Sequence, residues 1–418
     1  MSKFKIKKEP GNIVYGIVLY GCLLFTVYVF STDKAKAQDE IWAAREYPKS
    51  TIDSVHFTGA GISGPGKAIC ENGFGGIAVG VVVSQENKSR LASGSVITSG
   101  LIPNIKPLWD VHMRDAVICK GGDGYYYLTG STGFNIWNYN DGIEIYCSKD
   151  LRKWNYLGLV WSIEKDGGWE KQWRELHGKP VRSIWAPEIH YIHHNYYICF
   201  SMPPGGIAIL KSITGKPEGP YVHATDPGKP LLGGIGPIPA SFLIDPSLFE
   251  DEDGKVYFVQ GPGDQITRMK DDLSDFAEPL HHITLSDPDT ALCHHSKACS
   301  SKGYRDLGFE GATLFKHNGK YYLGSTDKYE GRYSIMLVMS DDIYGPYTGR
   351  YESVPCNGGT GFFEAENGDW FTCFFGDDSQ APWREKPGII KIDFDKEGKV
   401  FIAKNQPDFI LAPSKQKK

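Results

Sequence analysis

Five segments of this 418-residue chain follow one pattern, and three of them open on an acid. They are RDAVICKGGDGYYYLTGS around Asp115, IWAPEIHYIHHNYYICFS around Trp185, IDPSLFEDEDGKVYFVQG around Asp245, FEGATLFKHNGKYYLGST around Glu310 and GTGFFEAENGDWFTCFFG around Thr360. A short apolar run leads through a polar turn into a strand rich in Tyr or Phe. The openings lie 50 to 70 residues apart, the size of a propeller blade of about 40 to 45 residues with loops added. Repeats stacked radially bring equivalent positions to one axis. Asp115, Asp245 and Glu310 are therefore expected to meet in one cavity.

Local signals agree. NYYICF, KVYFVQ, KYYLGS and DWFTCFF are β-branched or aromatic runs bounded by Asn, Asp or Gly, and HNGK, DEDG, KGGDG and AENGD are hairpin turns. GIEIYCSKDLRKW, GIAILKSITGKPEGPY and YSIMLVMSDDIYGPY add a third strand each. No stretch beyond residue 40 shows a sustained helical period, and 49 glycines with 25 prolines suit a turn-rich β fold. The expectation is an all-β chain: a five-bladed β-propeller over residues 109–405, an N-terminal β-rich extension packing on it over 38–108, and a C-terminal tail over 406–418.

Residues 1–37 read as an export signal. Lys3, Lys5, Lys7 and Lys8 precede the apolar stretch from Ile13 to Phe30, and Ala35-Lys36-Ala37 has the form of a cleavage site. The competing reading is a retained anchor, because eighteen apolar residues approach the length that spans a bilayer. Cleavage removes six lysines and two acids, so the net charge falls from −5 to −9, which argues against nucleic acid or an anionic membrane as partner. Of the remaining cysteines, Cys293 and Cys299 are the best candidate disulfide pair, since they flank one polar loop; those inside apolar strands read as buried thiols. No cysteine spacing resembles a zinc site.

Three converging carboxyl groups suit glycoside hydrolysis. One protonates the leaving oxygen, a second activates water across the sugar ring, and a third holds the acid's proton by like-charge repulsion. A single Asp-Pro or Glu-Gly could merely cap a turn, but three at repeated openings favour the chemical reading.

These segments resemble glycoside hydrolase family 43, five-bladed propeller enzymes with an acid-opened first blade, a WAPE segment in the second, a DPS-type motif in the third and an EG motif in the fourth. Here they stand as MRDAVIC, SIWAPEIHYI, FLIDPSLFEDEDGKVY and FEGATLFKHNGKYYL, in that order and over residues 109–405. The resemblance implies Asp115 as general base, Glu310 as general acid and Asp245 as pKa modulator. It also implies inversion at the anomeric carbon, with the acid and base roughly 6.5 to 9.5 Å apart. Two departures stand out. Asp115-Ala116 replaces the usual Asp-Pro, and CNGGTGFF, with Thr360, replaces the Gly-His pair beside a central calcium. No cofactor is expected to be required, and a central calcium is doubtful.

Substrate contacts are expected from Trp185 at the second entrance, from Phe134 and Trp137 in the first-blade loop, and from His294 and His295 in the long loop before Glu310. Arg384 resembles the family's late-blade arginine. The long loop at 161–183 adds Trp169, Trp173, His177 and Arg182, and Arg305 follows in the later one; aromatic faces suit sugar rings, and arginine can fork to hydroxyls or carboxylates. The expected partner is an oligosaccharide or polysaccharide carrying arabinofuranosyl, xylosyl or galactosyl linkages. Two alternatives stay open: an anhydro-galactosidase-type hydrolase using a histidine donor, and a carbohydrate-binding propeller without catalysis.

Overall fold

The aromatic and β-branched runs all form strands, in five consecutive antiparallel sheets. The computed structural model describes residues 5–8, 13–20, 23–30, 49–55, 66–71, 102–132, 140, 142–177, 183–203, 205–235, 243–261, 263–283, 285, 307–330, 332–376 and 385–413. Blade 1 runs Arg114–Lys120, Tyr126–Ser131, Gly142–Ser148 and Asn155–Ser162; blade 2 runs Trp185–Ile192, Asn195–Met202, Gly206–Ser212 and Tyr221–His223, with Leu232–Gly233 pairing back on its third strand. Blade 3 is Ser247–Glu250, Val256–Gln260, Gln265–Arg268 and His281–His282. Blade 4 is Glu310–His317, Lys320–Tyr329, Arg332–Ser340 and Thr348–Val354, and blade 5 is Gly358–Glu364, Trp370–Phe375, Pro387–Phe394 and Val400–Ile402. Each inner strand packs on the next, and that of blade 5 packs on that of blade 1, so the ring is closed. The expected five-bladed β-propeller is the fold observed.

The hairpin between the first two strands of a blade follows turn chemistry. Asn318-Gly319 joins Glu310–His317 to Lys320–Tyr329 with both φ angles positive, as a type I′ turn needs. Blade 2 puts His193 and His194 into the same left-handed region, which these side chains adopt less readily. That turn is held from outside: His193 Nε2 lies 2.7 Å from the Gly254 carbonyl, and its N–H donates to Glu250, both on blade 3.

The core lies between the blades. Side chains from facing sheets form separate apolar clusters at the junctions, such as Tyr127, Ile145, Ile189, Ile198 and Phe200 between blades 1 and 2, and Cys199, Ile207, Leu248 and Phe258 between blades 2 and 3. Thiols serve as packing and as donors. Cys199 donates to the Pro246 carbonyl across that junction at 3.0 Å, and Cys119, Cys147, Cys199 and Cys373 are free thiols. Cys293 and Cys299 lie outside the described residues.

Two readings of 161–183 are corrected. The segment contains short helices, Ile163–Asp166 and Trp169–His177, where no helical period was expected. Nine residues are too few for periodicity to show. Trp169 and Trp173, one helical turn apart, bury their rings at 0% and 1% exposure in the cluster between blades 1 and 2, so they are core and not sugar platforms. Among the described residues, no helix is long and apolar enough to cross a membrane.

The ends of the propeller knit together. Ile105 bridges Leu411, the Lys106 N–H donates to Ile410 O, and the Ala412 N–H donates to Asn104 O. The compact unit spans Val96–Lys418, so both the segment before residue 109 and the one after 405 contribute to it. Residues 1–95 form a unit of their own, with a three-stranded sheet (Lys5–Lys8, Ile13–Tyr20, Leu23–Phe30) and a pair (Lys49–Val55, Gly66–Glu71). The apolar stretch read as a signal runs here as two antiparallel strands rich in Val, Ile, Phe and Tyr.

The blade entrances share a device that the sequence pattern only approximated. In four inner strands the ladder slips just after its first pair: Arg114/Val117, Trp185/Glu188, Glu310/Thr313 and Gly358/Gly361. Within each slip sits one left-handed residue, Asp115 (φ 54°), Ala186 (44°), Gly311 (70°) and Gly359 (75°), and Asp245 (52°) stands just ahead of the blade 3 strand. Such bulges re-aim side chains at a rim. The equivalent positions are therefore Asp115, Ala186, Asp245, Gly311 and Gly359. Trp185 and Glu310 each lie one residue earlier, in the row of Arg114, and Thr360 lies one later.

Candidate active site

Both rows of entrance residues line one open cavity, formed by Arg114, Asp115, Ser131, Trp185, Ile244, Asp245 and Glu310. The three acids and Trp185 expected at the axis are brought together. The bulge makes this possible: with side chains alternating along a strand, neighbouring rows face apart unless the backbone turns between them. Phe134, Trp137, His294, His295 and Arg384, as well as Arg182 and Arg305, lie outside the described residues.

Each acid is held by an adjoining strand or blade. The Ser131 hydroxyl donates to Asp115 Oδ2 at 2.6 Å and accepts from the Ala186 N–H at 2.8 Å, so blade 2 fixes the hydroxyl that orients the blade 1 carboxylate. Asp245 Oδ2 accepts the Gly311 N–H of blade 4 at 2.7 Å. Glu310 Oε1 accepts the Tyr333 hydroxyl from the third strand of its own blade.

Electrostatics favour retention of a proton among these groups. Burial, followed by the charges of Asp115 and Glu310, pushes the Asp245 carboxyl well above the usual aspartate range, against the opposing pull of the Gly311 N–H. Clustered carboxyl groups titrate as a set. Glu188, one turn of the ladder further in, is also raised, chiefly by burial, with His190 opposing. It is 6% exposed, and its carboxyl oxygen lies 3.1 Å from His190 Nε2.

Sequence reasoning missed the support around Arg114. Its guanidinium donates to Glu385 Oε1 at 2.9 Å and lies over the Phe375 ring at 4.3 Å; His112 Nε2 pairs with Glu385 Oε2. Burial would raise the Glu385 carboxyl, but His112 and Arg114 more than offset it and draw it down to about 2. The available signal was the string His112-Met113-Arg114-Asp115, two basic residues spaced by two positions before an acid. Their partner is more than 270 residues away.

Among the described residues, one group has metal-ligating character: Glu188, His190 and Cys199, whose donor atoms lie within 4.8 Å of one another. Nitrogen and sulfur donors do not suit calcium, which takes oxygen ligands. The Cys199 thiol is pushed well up by burial and already donates to Pro246 O. This group does not fit a central calcium.

The family description "Glycosyl hydrolases family 43" matches residues 105–400. A β-D-galactofuranosidase of Aspergillus niger is 27% identical over 217 residues, covering 49% of this chain and 54% of the relative. An extracellular exo-α-(1→5)-L-arabinofuranosidase of Cellvibrio japonicus is 25% identical over 298 residues, covering 67% and 78%. The chain spans about half the length of several of the curated relatives it matches. Among solved structures, an endo-1,4-β-xylanase of Bacteroides thetaiotaomicron superposes with a TM-score of 0.51 at 21% identity, over 74% of this chain and 100% of that one, which speaks to the fold alone.

Proposed function

The chain belongs to glycosyl hydrolases family 43, and on that premise we propose that it is an exported, exo-acting, inverting glycosidase that hydrolyses O-glycosyl bonds of plant or algal polysaccharides. The observation that carries this reading is the meeting of Asp115, Asp245 and Glu310 in one cavity with Trp185 and Arg114. Asp115, aligned by Ser131, takes a proton from the attacking water as its oxygen bonds to the anomeric carbon. Glu310 gives its proton to the departing glycosidic oxygen. Asp245 raises the cluster's proton affinity so that Glu310 is charged with a proton before the bond breaks. After turnover the proton gained by Asp115 and the one lost by Glu310 are exchanged with solvent.

An open cavity lined by three carboxyl groups, Arg114 and Trp185 suits a terminal sugar. The named activities of the relatives support arabinofuranosyl, xylosyl and galactofuranosyl units as the candidate sugars. The reading gives acid and base roles to carboxyl groups and calls for no metal. Export is supported by the Lys-rich start, the apolar stretch and Ala35-Lys36-Ala37, and by an extracellular relative.

The test is a panel of nitrophenyl glycosides and arabino-, xylo- and galactofurano-oligosaccharides, run on wild type, Asp115→Asn and Glu310→Gln. Each variant should lose about 10²- to 10⁴-fold in kcat on the oligosaccharide cleaved by wild type. Proton NMR of the first-formed sugar should show the inverted anomer. Equal turnover by all three proteins would sink the assignment, and a retained anomer would sink the inverting mechanism.

A further inference from the structure

We propose that Tyr333 is a positioning residue for Glu310, seated by the glycine entrance of blade 5, and that it sets how readily the acid releases its proton. This rests on the reading of Glu310 as general acid. Tyr333 lies on the third strand of blade 4 and is 3% exposed, with its hydroxyl donating to Glu310 Oε1. Its ring is packed from three sides. Phe309 lies 5.8 Å away, Phe375 of blade 5 lies 6.2 Å away, and Lys328 Nζ stands 5.1 Å from its centroid.

The fourth side explains a gap in the repeat pattern. A Cβ at Gly358 would overlap the rings of Tyr333 and Phe375, so a residue with a side chain there would displace the tyrosine. The Asn357 N–H donates to the Tyr333 carbonyl at 2.7 Å, tying the same stretch to the Tyr333 backbone. Blade 5 thus meets the axis without an acid because its entrance is the seat of the residue that holds the acid of blade 4.

The chemistry follows from which form the hydroxyl favours. A phenol donating to a carboxyl oxygen binds the carboxylate more strongly than the protonated acid, so it eases proton release in the transition state. The charges facing this pair act in both directions. Asp245 and Asp115 on the cavity wall oppose release, while Lys328 above the Tyr333 ring and Arg114 across the cavity favour it. Tyr333 also fixes the rotation of the Glu310 carboxyl plane toward the departing oxygen.

The experiment compares Tyr333→Phe and Gly358→Ala with wild type on two substrates of one sugar: its 4-nitrophenyl glycoside and the matching unactivated oligosaccharide, both taken from the arabinofuranosyl, xylosyl and galactofuranosyl panel. Nitrophenolate departs with little need of protonation; a sugar does not. Loss of a hydrogen bond to a charged group should cost about 10- to 100-fold in kcat on the oligosaccharide. The nitrophenyl rate should change less than about 3-fold, by the same leaving-group argument. The basic limb of the oligosaccharide pH profile should move to higher pH in both variants, with thermal unfolding showing each to be folded. A uniform loss on both substrates with an unmoved basic limb, or no change at all, overturns the role of Tyr333 while leaving Glu310 as the acid. Full activity of Glu310→Gln on the oligosaccharide would instead remove the reading beneath it.

Discussion

Blades 1, 3 and 4 meet the axis with a carboxyl group; blades 2 and 5 meet it with Trp185-Ala186 and Gly358-Gly359. The acid-free entrances are not blank copies. Blade 2 gives the Ala186 N–H to the hydroxyl that aligns Asp115, and blade 5 makes room for Tyr333 and supplies Phe375 and Glu385 to Arg114. In a ring where every member faces the same point, a second set of like charges would raise the cost of the first. The repeat that gives up its charge can support a neighbour that keeps one.

That division of labour can be broken at three places, in decreasing order of expected effect. Asp245→Asn strikes an acid-bearing entrance and should lower kcat by at least about 100-fold. It should also raise Tm at pH 7. A carboxyl whose folded pKa is raised makes stability fall as pH climbs from the ordinary aspartate range to the raised value, and above it the full penalty is present. A lower Tm would mean that this carboxyl is not held against an electrostatic cost.

Glu385→Gln strikes a blade whose entrance carries no acid. The folded pKa of about 2 lies below the ordinary glutamate value, so the stabilisation is complete above that ordinary value and is lost as pH falls toward about 2. Denaturant unfolding at pH 7 should show a loss of about 3 kcal/mol, and the gap to wild type should narrow on acidification from about pH 5. A gap independent of pH would assign the effect to packing. The smallest effect is expected for Ser131→Ala, which removes one donor from Asp115 and the acceptor of the Ala186 N–H. About 1 to 2 kcal/mol, or roughly 5- to 30-fold in kcat, should be lost. A change as large as that of Asp245→Asn would erase the distinction between charged and supporting entrances.

The strands, their turns and the three acids were legible because each depends on a few adjacent residues: alternation, Asn-Gly, Asp-Pro. The one-residue offset of Glu310 from Asp115 and Asp245 was not, since a bulge is defined by pairing with a partner strand, and FEGA and IDPS look alike when aligned by their acids. Trp169 and Trp173 looked like pocket aromatics because a nine-residue helix leaves too little pattern to show which face is buried. Tyr333 and Glu385 stayed hidden for a different reason. Tyr333 opens a quoted strand segment and Glu385 follows Arg384, but neither position reveals its partner: Glu310 meets Tyr333 through the pairing of blade 4, and Arg114 meets Glu385 across the closed ring.

The pairing of residues 104–106 with 410–412 puts a clock on assembly. During synthesis blades 1 to 4 can form in order as hairpins, each from contiguous chain, but the ring cannot close before blade 5, which begins at Gly358, has been made. Until then the strand Arg114–Lys120 lacks the neighbour from blade 5 that covers it, and Glu385 has not reached Arg114. The support of the cavity wall is thus completed late: Arg114 gains Glu385 and Phe375, and Tyr333 gains its seat at Gly358, only when the last blade is in place.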